Sequence, residues 1–351
     1  MQKIIHVDMD CFFAAIEMRD NPTLINIPIA IGGSVESRGV VCTANYPARR
    51  YGIHSAMSTA RAFRLCPELK LLPVRMHIYE EVSLQIHKIF SRYTTNMEPV
   101  SLDEAYLDVT DCTLCYGSAT LIAQEIRASI YDELQLTASA GVAPVKFLAK
   151  IASDLNKPNG QFVITPDQID VFVQSLPLRK IPGIGPKTAK RLSDLGLHTC
   201  ADVQKYEISA LIKQFGKLGI DIWRRCHGVD DNPVYVDSVR KSVGVEMTLP
   251  KDIHYWEECK NVIIQQYPEL SKKLKPYSPD LIISRQGVKF KFDDFHLVTH
   301  EHVHPNLDLT DLLSAAMYVW ESRRNGRGVR LVGLSVTLQD PLFGRQLSLK
   351  W

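Results

Sequence analysis

Four carboxylates sit where simple solvation does not account for them. Val7-Asp8-Met9-Asp10 closes the apolar run Ile4-Ile5-His6-Val7, and Ser101-Leu102-Asp103-Glu104-Ala105 lies between two runs of strand character. A carboxylate at the end of a buried strand loses hydration that only a cation or strong donors can replace. Asp10 has a local use: just before a helical run that starts at Cys11, its oxygen can cap a backbone N–H, and that role is expected of it. Asp8 is not placed to cap as well, so it needs another partner. Asp103 and Glu104 are consecutive and would point to opposite faces of a regular strand. They converge only at a bend, which the hairpin between the two runs supplies. Carboxylates from two strands meeting at one sheet edge repel unless a counter-ion intervenes. Mg²⁺ takes a few carboxylates, its own waters and substrate phosphates. A pair of such ions suits phosphoryl transfer, one activating the attacking hydroxyl and the other steadying the leaving pyrophosphate. On spacing alone, a solvated acidic turn competes equally with this.

The elements that must hold these residues alternate in type. Strands are expected at Lys3–Asp8, Pro28–Ile31, Gly39–Thr43, Glu98–Val100, Ala105–Val109 and Thr137–Val142, with helices at Cys11–Arg19, Ser58–Cys66, His77–Arg92, Ser118–Glu133 and Val145–Leu155. Within Ser118–Glu133 and just beyond it, Leu121, Ile122, Ile126, Ile130 and Leu134 keep the helical period. The pattern is α+β, with helices expected on one face of a mostly antiparallel sheet. Residues 166–239 differ: short helices are punctuated by Pro177, Pro182, Gly183, Gly185, Pro186, Gly196, Gly216 and Gly228, and Asp230-Asp231-Asn232-Pro233 reads as a linker. From about residue 240 the alternation returns, with strands at Lys241–Met247, around Leu281–Phe292 and at Arg330–Leu338, and helices near Trp256–Leu274 and Leu309–Arg323.

Bulk properties narrow the class. The 351 residues are 45% hydrophobic, enough for several buried cores. No apolar stretch approaches the roughly 20 residues of a membrane span, and the N-terminus lacks a signal-peptide layout, so a cytoplasmic, membrane-free monomer is expected. Of the eight cysteines only Cys112 and Cys115 form a CxxC, without a second pair; ordinary reduced thiols are expected. The net charge of +2 restricts any nucleic-acid surface to a patch. Residues 1–165 carry 15 basic and 17 acidic side chains whereas 240–351 carry 16 and 13, which puts the acidic balance with the carboxylates and the basic balance at the far end.

Longer motifs carry a resemblance. His6-Val7-Asp8-Met9-Asp10-Cys11-Phe12-Phe13-Ala14-Ala15 and Ser101-Leu102-Asp103-Glu104-Ala105-Tyr106-Leu107-Asp108 resemble the two signature motifs of Y-family DNA polymerases. Thr43-Ala44-Asn45-Tyr46-Pro47-Ala48-Arg49 resembles the family's fingers motif. Ser139-Ala140-Gly141-Val142-Ala143, Lys146-Phe147-Leu148-Ala149-Lys150 and Lys157-Pro158-Asn159-Gly160 resemble the end of its palm. The likeness spans essentially the whole chain.

It implies a multidomain α+β right hand with a ferredoxin-like palm from 1–11 and 74–165 and small fingers from 12–73. A helical thumb with a helix-hairpin-helix follows at 166–230, then a linker at 231–239 and a C-terminal α/β little finger at 240–341. The activity implied is template-directed addition of dNTPs to a primer, with low fidelity, lesion bypass and no proofreading exonuclease. Asp8, Asp103 and Glu104 are then the catalytic carboxylates and hold two Mg²⁺ ions (Mn²⁺ as substitute), with the Met9 carbonyl completing one shell. Tyr46, Arg49 and Lys157 match triphosphate contacts, and phenol, guanidinium and ammonium suit phosphate oxygens. Phe13 matches the residue that excludes a ribose 2′-hydroxyl, with Tyr79 behind the same pocket; Phe12 is read as core.

Ile181-Pro182-Gly183-Ile184-Gly185-Pro186-Lys187-Thr188-Ala189-Lys190 resembles a helix-hairpin-helix, whose glycine turn at Gly183 and Gly185 lets backbone N–H groups approach a DNA phosphate. Lys187 and Lys190 add charge. In the little finger Arg240, Lys241, Arg285, Lys289, Lys291 and Arg330 are the expected DNA contacts, Lys289 and Lys291 sharing a face by the period of two. Residues 342–351 form a tail whose Gln346, Leu347, Leu349 and Trp351 resemble a sliding-clamp-binding peptide, which implies primer-template DNA, dNTPs and a clamp as partners and a nucleoid address. Two other classes compete: a palm-fold nucleotidyl cyclase, which has no use for a helix-hairpin-helix, and an inactive DNA-binding scaffold, which has no use for all three carboxylates.

Overall fold

A computed structural model describes residues 1–236, 239–278 and 280–341. The chain opens with β1 (Ile4–Met9), α1 (Phe12–Asp20), β2 (Ile29–Gly32), β3 (Val41–Ala44), α2 (Tyr46–Arg49), α3 (Thr59–Leu65) and β4 (Lys70–Leu72). Next come α4 (Met76–Phe90), β5 (Met97–Pro99), β6 (Glu104–Asp108), α5 (Ala119–Leu134), β7 (Ala138–Ala143), α6 (Lys146–Leu155) and β8 (Gln161–Val163). Five short helices follow: α7 (Ile169–Gln174), α8 (Pro186–Ser193), α9 (Cys200–Gln204), α10 (Ile208–Phe215) and α11 (Lys217–Cys226). The last stretch is β9 (Ser242–Ile253), α12 (Trp256–Leu274), β10 (Ile282–Phe292), β11 (Leu297–Val303), α13 (Leu309–Ser322) and β12 (Val329–Gln339). These group into two compact units, one made of residues 1–32, 41–55 and the described part of 65–237, the other of 33–40, 56–64 and the described residues from 238 on.

The first unit is built on a five-stranded sheet of order β5-β6-β1-β7-β8, antiparallel except for β7 with β8. Strand alternation divides the sheet's side chains between two cores. Ile5, Val7, Met9, Ala105, Leu107, Ala138 and Ala140 pack with Ile86 of α4 and Ile122, Ile126 and Ile130 of α5. Ile4, Tyr106 and Ala143 instead join Phe147, Leu148 and Ile151 of α6 and apolar side chains of the short helices α7 to α11. Helices therefore cover both faces, not one as expected. The cause is Gly141: a Cβ there would lie 2.0 Å from the Ala149 carbonyl oxygen and 2.3 Å from the Ser153 nitrogen, so its absence lets α6 lie directly on β7. A smaller sheet has the order β3-β2-β4.

The second unit carries a four-stranded antiparallel sheet of order β11-β10-β12-β9. Val288, Phe290, Phe292, Val332, Leu334 and Val336 pack with Ile263 and Leu270 of α12 and Leu312, Ala316 and Val319 of α13. Two differences from the expected elements have local reasons. β9 runs on past Met247 to Ile253, through Pro250, because it is an edge strand and its missing N–H leaves no ladder bond unmade. β11 was not expected at all: its half-buried positions Val298, His300 and His302 mix one apolar residue with histidines, so the apolar period of two is blurred.

Candidate active site

β1 and β6 bring the carboxylates together. The antiparallel register sets Asp8 opposite Glu104 and His6 opposite Tyr106, so Asp8 and Glu104 leave the same face of the sheet. Asp103 sits one residue before β6 in the bend where Val100 N–H donates to the Glu104 carbonyl (3.0 Å), and its own carbonyl accepts from Met9 N–H at 2.9 Å. Ser101 Oγ donates to Asp103 Oδ1 at 2.6 Å, which orients that carboxylate. A cavity of about 310 Å³ is bounded by Asp8, Met9, Asp103, Phe13, Arg49 and Lys157, and also by Cys42, Thr43 and Ser55. Residues from each of these separated motifs thus face one space, whereas Glu104 and Tyr46 are not among the residues that bound it. Cys42 and Ser55 carry no sequence signal of their own.

Cations already answer the carboxylates. Lys157 Nζ lies 2.5 Å from Asp8 Oδ1, and Lys150 Nζ pairs with Glu104 Oε2. Burial pushes the Asp8 carboxyl up to about 6, against the pull of Lys157. Glu104 is held down to about 2 by the His6 ring beside it and by Lys150, against burial. His6 and Lys150 escaped the sequence reading, His6 because a histidine inside an apolar strand looks like core. His6, Asp8 and Glu104 each present one ligand atom within 4.8 Å of the others, and His6 Nε2 is buried without a hydrogen-bond partner. Oxygen donors in this number, with that orphaned nitrogen, fit a divalent-cation site.

Asp10 does not cap α1. The N-cap is Cys11, with no side-chain hydrogen bond. Asp10 is 2% exposed and accepts from Ser139 Oγ (2.9 Å), the Asn159 backbone N–H (2.7 Å) and Tyr46 OH (3.4 Å). Tertiary donors outcompete the local cap, because a buried carboxylate needs several of them. The 157–160 segment is thereby fixed to the five-stranded sheet, with Arg127 Nη2 donating to Asn159 Oδ1 at 2.8 Å. A Cβ on Gly160 would sit 1.8 Å from the Asn156 carbonyl oxygen, so only glycine closes this turn.

On the opposite wall the Phe13 ring stacks on Tyr79, centroids 4.1 Å apart and planes 12° from parallel. Tyr79 is fully buried, and its hydroxyl donates to Glu17 Oε1 at 2.6 Å, which Arg75 Nε also meets at 2.8 Å. Phe12 points into the core at 2% exposure. Arg49 Nε donates to the Ala44 carbonyl at 2.9 Å, and its guanidinium lies over the Tyr46 ring at 4.9 Å.

The remaining sequence-selected residues lie elsewhere. Gly183 has φ +88°, in the turn before α8, and Arg225 Nη1 donates to the Pro182 carbonyl at 2.6 Å, bracing that turn from α11. Gly185, Lys187 and Lys190 are exposed, Lys190 3.2 Å from Asp194. In the second unit Arg285, Lys289 and Lys291 alternate along β10 with the buried Gln286, Val288 and Phe290. Lys289 Nζ is 2.8 Å from Glu246 Oε2, Arg330 lies over the Phe295 ring at 4.8 Å, and Arg240 and Lys241 are exposed. Gln346, Leu347, Leu349 and Trp351 fall outside the described residues.

Residues 7–154 match the family model described as impB/mucB/samB family, 179–230 that of the DNA polymerase-iota thumb domain, and 240–349 that of the impB/mucB/samB family C-terminal domain. The DNA polymerase IV of Photorhabdus laumondii subsp. laumondii is 65% identical over 351 residues, covering 100% of both chains. The chain belongs to the Y family of DNA polymerases. Among solved structures, a Y-family DNA polymerase chimera superposes with a TM-score of 0.85 at 30% identity, over 95% of this chain and 98% of that one. An insertion ternary complex of Dbh DNA polymerase gives 0.67 at 29%, over 96% and 99%. The Y-family architecture accounts for a mixed α+β palm, a helical thumb and a separate C-terminal domain on one chain. Among the described residues no helix is long and apolar enough to cross a membrane.

Proposed function

We propose that this chain extends primers by nucleotidyl transfer at the cavity bounded by Asp8, Phe13 and Asp103, with Asp8, Asp103 and, opposite Asp8 on the neighbouring strand, Glu104 as its catalytic carboxylates. Its activity class is that of its family: DNA-directed DNA synthesis of the low-fidelity, lesion-bypassing kind, dependent on divalent metal, with DNA and deoxynucleotides as substrates. The observation that carries the residue assignment is the register pair Asp8–Glu104, with Asp103 in the adjoining bend. Two divalent cations, Mg²⁺ or in its place Mn²⁺, would supply charge neutralisation at the primer hydroxyl and the leaving pyrophosphate. Asp8, Asp103, Glu104 and the Met9 carbonyl would hold them.

The chain's own groups do the rest. Arg49, Lys157 and Tyr46 bind and orient the triphosphate, and Lys157 can move to it once Asp8 has another cationic partner. Phe13, backed by Tyr79, leaves no room beside C2′ of the sugar. Asp10 anchors the Lys157–Gly160 turn so that Lys157 meets the phosphates from a fixed base. Gly183, Gly185, Lys187 and Lys190 of the thumb, and Arg240, Lys241, Arg285, Lys289, Lys291 and Arg330 of the little finger, are assigned to DNA phosphates, without base readout. The domain limits assigned are palm 1–11 and 74–165, fingers 12–73, thumb 166–230, linker 231–239 and little finger 240–341. A monomer recruited to the nucleoid by a clamp bound at Gln346, Leu347, Leu349 and Trp351 completes the assignment.

Chelation tests the site. Removing divalent metal is expected to abolish extension and restoring Mg²⁺ to recover it, whereas Asp8→Ala protein recovers nothing while still binding primer-template. Recovery in the Asp8→Ala protein would defeat the assignment.

A further inference from the structure

The hairpin between β10 and β11 carries an aromatic ring out into water. Phe295 is 64% exposed, and its φ of +65° is one that bulky side chains disfavour. The tip is nonetheless held. Phe295 N–H donates to the Phe292 carbonyl at 2.9 Å, and Phe292 N–H to the His296 carbonyl at 2.9 Å. Asp293 Oδ2 accepts from Gly328 N–H at 2.8 Å, and Asp294 Oδ2 lies 3.1 Å from Arg327 Nη1. Donors from Arg327 and Gly328 thus occupy both flanking carboxylates, and the ring stands out from a fixed base.

Arg330 takes one side of that ring, its guanidinium 4.8 Å from the centroid. Its aim has a backbone cause. Between β10 and β12, Lys291 pairs with Leu331 and Phe292 with Val329, which leaves Arg330 as the extra residue of a β-bulge. Bulges redirect a side chain in this way. With one side of the ring covered and most of the residue in water, its opposite face is open. Lys291 adds positive charge on the strand that leads into the hairpin. An aromatic face beside cations holds an unpaired nucleotide well, because the base stacks and the phosphate meets the charge. A base inside a duplex is covered on both faces by its neighbours, so only an unpaired one can use the ring. Resting on the assignment of this little-finger surface to DNA, we propose that Phe295 and Arg330 form a site for one nucleotide of the single-stranded template. Its base stacks on the open face of Phe295 and its phosphate meets Arg330. A guanidinium lying over a ring keeps its N–H donors at the edge, where phosphate oxygens can reach them.

The full-length protein is titrated with a labelled primer-template that carries a single-stranded template overhang, and with the same duplex blunt-ended, and fluorescence anisotropy reports binding. Phe295→Gly removes the ring and suits the backbone. It is expected to lower affinity for the overhang DNA by about fivefold to a hundredfold, the worth of one base–aromatic stack, and to leave the blunt duplex within about twofold. Phe295→Tyr is expected to keep the wild-type preference for the overhang. Equal losses on both DNAs, or no loss on either, overturn the proposal. A fluorescent base analogue placed at successive overhang positions is expected to be quenched at one of them in the wild type and released there in Phe295→Gly. Quenching that ignores Phe295 at every position overturns it too. The double variant Lys289→Ala with Lys291→Ala tests the assignment underneath. If it binds both DNAs as wild type does, this surface is wrongly assigned to DNA; if it weakens both while Phe295→Gly changes nothing, only the stacking site is refuted.

Discussion

Lys157 Nζ sits 2.5 Å from Asp8 Oδ1, so a residue assigned to the incoming triphosphate rests on a residue assigned to the metal. In the proposed site a cation held by Asp8 would replace the ammonium there and leave Lys157 free to pair with the triphosphate. Lys157→Ala is therefore expected to raise the KM for dNTPs by roughly tenfold to a hundredfold, the worth of one charge-assisted hydrogen bond, with a smaller change in kcat. Steady-state kinetics on a primed template measure it. A fall in kcat with unchanged KM would place Lys157 on the metal side only.

Asp10 separates two accounts of one carboxylate. As an acceptor for Ser139, Asn159 and Tyr46, it should cost about 2–5 kcal/mol of stability when replaced by alanine, since buried donors lose their partner. A helix cap would cost only about 1 kcal/mol. Urea unfolding of the Asp10→Ala protein, followed by tryptophan-independent far-ultraviolet dichroism, distinguishes them. A loss at or below the cap value would return Asp10 to the helix end.

Phe13 cannot retreat, because Tyr79 lies flat behind it and is itself pinned to Glu17. Phe13→Val should raise ribonucleotide incorporation by two or more orders of magnitude, as relief of a steric clash does, and leave dNTP use within about tenfold. Parallel single-nucleotide insertion with rNTP and dNTP gives the ratio. An unchanged ratio would make Phe13 a packing residue.

The sequence carried most of the palm, because apolar strands and strongly periodic helices announce themselves locally. α12 is found at Trp256–Leu274, as its period indicates, with Pro268 inside it. What local pattern cannot carry is competition between near and distant partners. Asp10 had a good local use as a cap, and three tertiary donors outbid it. His6 drew no role of its own from the sequence, and only the β1–β6 register sets it beside Glu104. Gly141 looked like any glycine in a strand until α6 was laid across it. The carboxylates themselves were legible because a charged residue at the end of a buried strand has few explanations.

Residues 346–351 give a prediction that is independent of the catalytic cavity. Gln346-Leu347-Ser348-Leu349-Lys350-Trp351 alternates large apolar side chains after a glutamine, which is unfavourable in water without a partner. A clamp bound there would raise the local concentration of enzyme at the primer by tethering. Deleting the six residues should leave distributive synthesis on naked DNA unchanged and remove stimulation by the sliding clamp. Clamp stimulation that survives the deletion would exclude this peptide as the tether.

The central claim is that Asp8, Asp103 and Glu104 run template-directed nucleotide addition. Its most direct test is primer extension by purified wild-type, Asp8→Asn and Asp103→Asn proteins with four dNTPs and Mg²⁺, beside a DNA-binding assay on the same preparations. Isosteric amides keep the shape of the site and remove the charge that positions the cations. The account predicts template-dependent extension by the wild type, a loss of at least about four orders of magnitude in both variants, and primer-template affinity within a fewfold of wild type. Extension at near wild-type rate by either amide variant would contradict it.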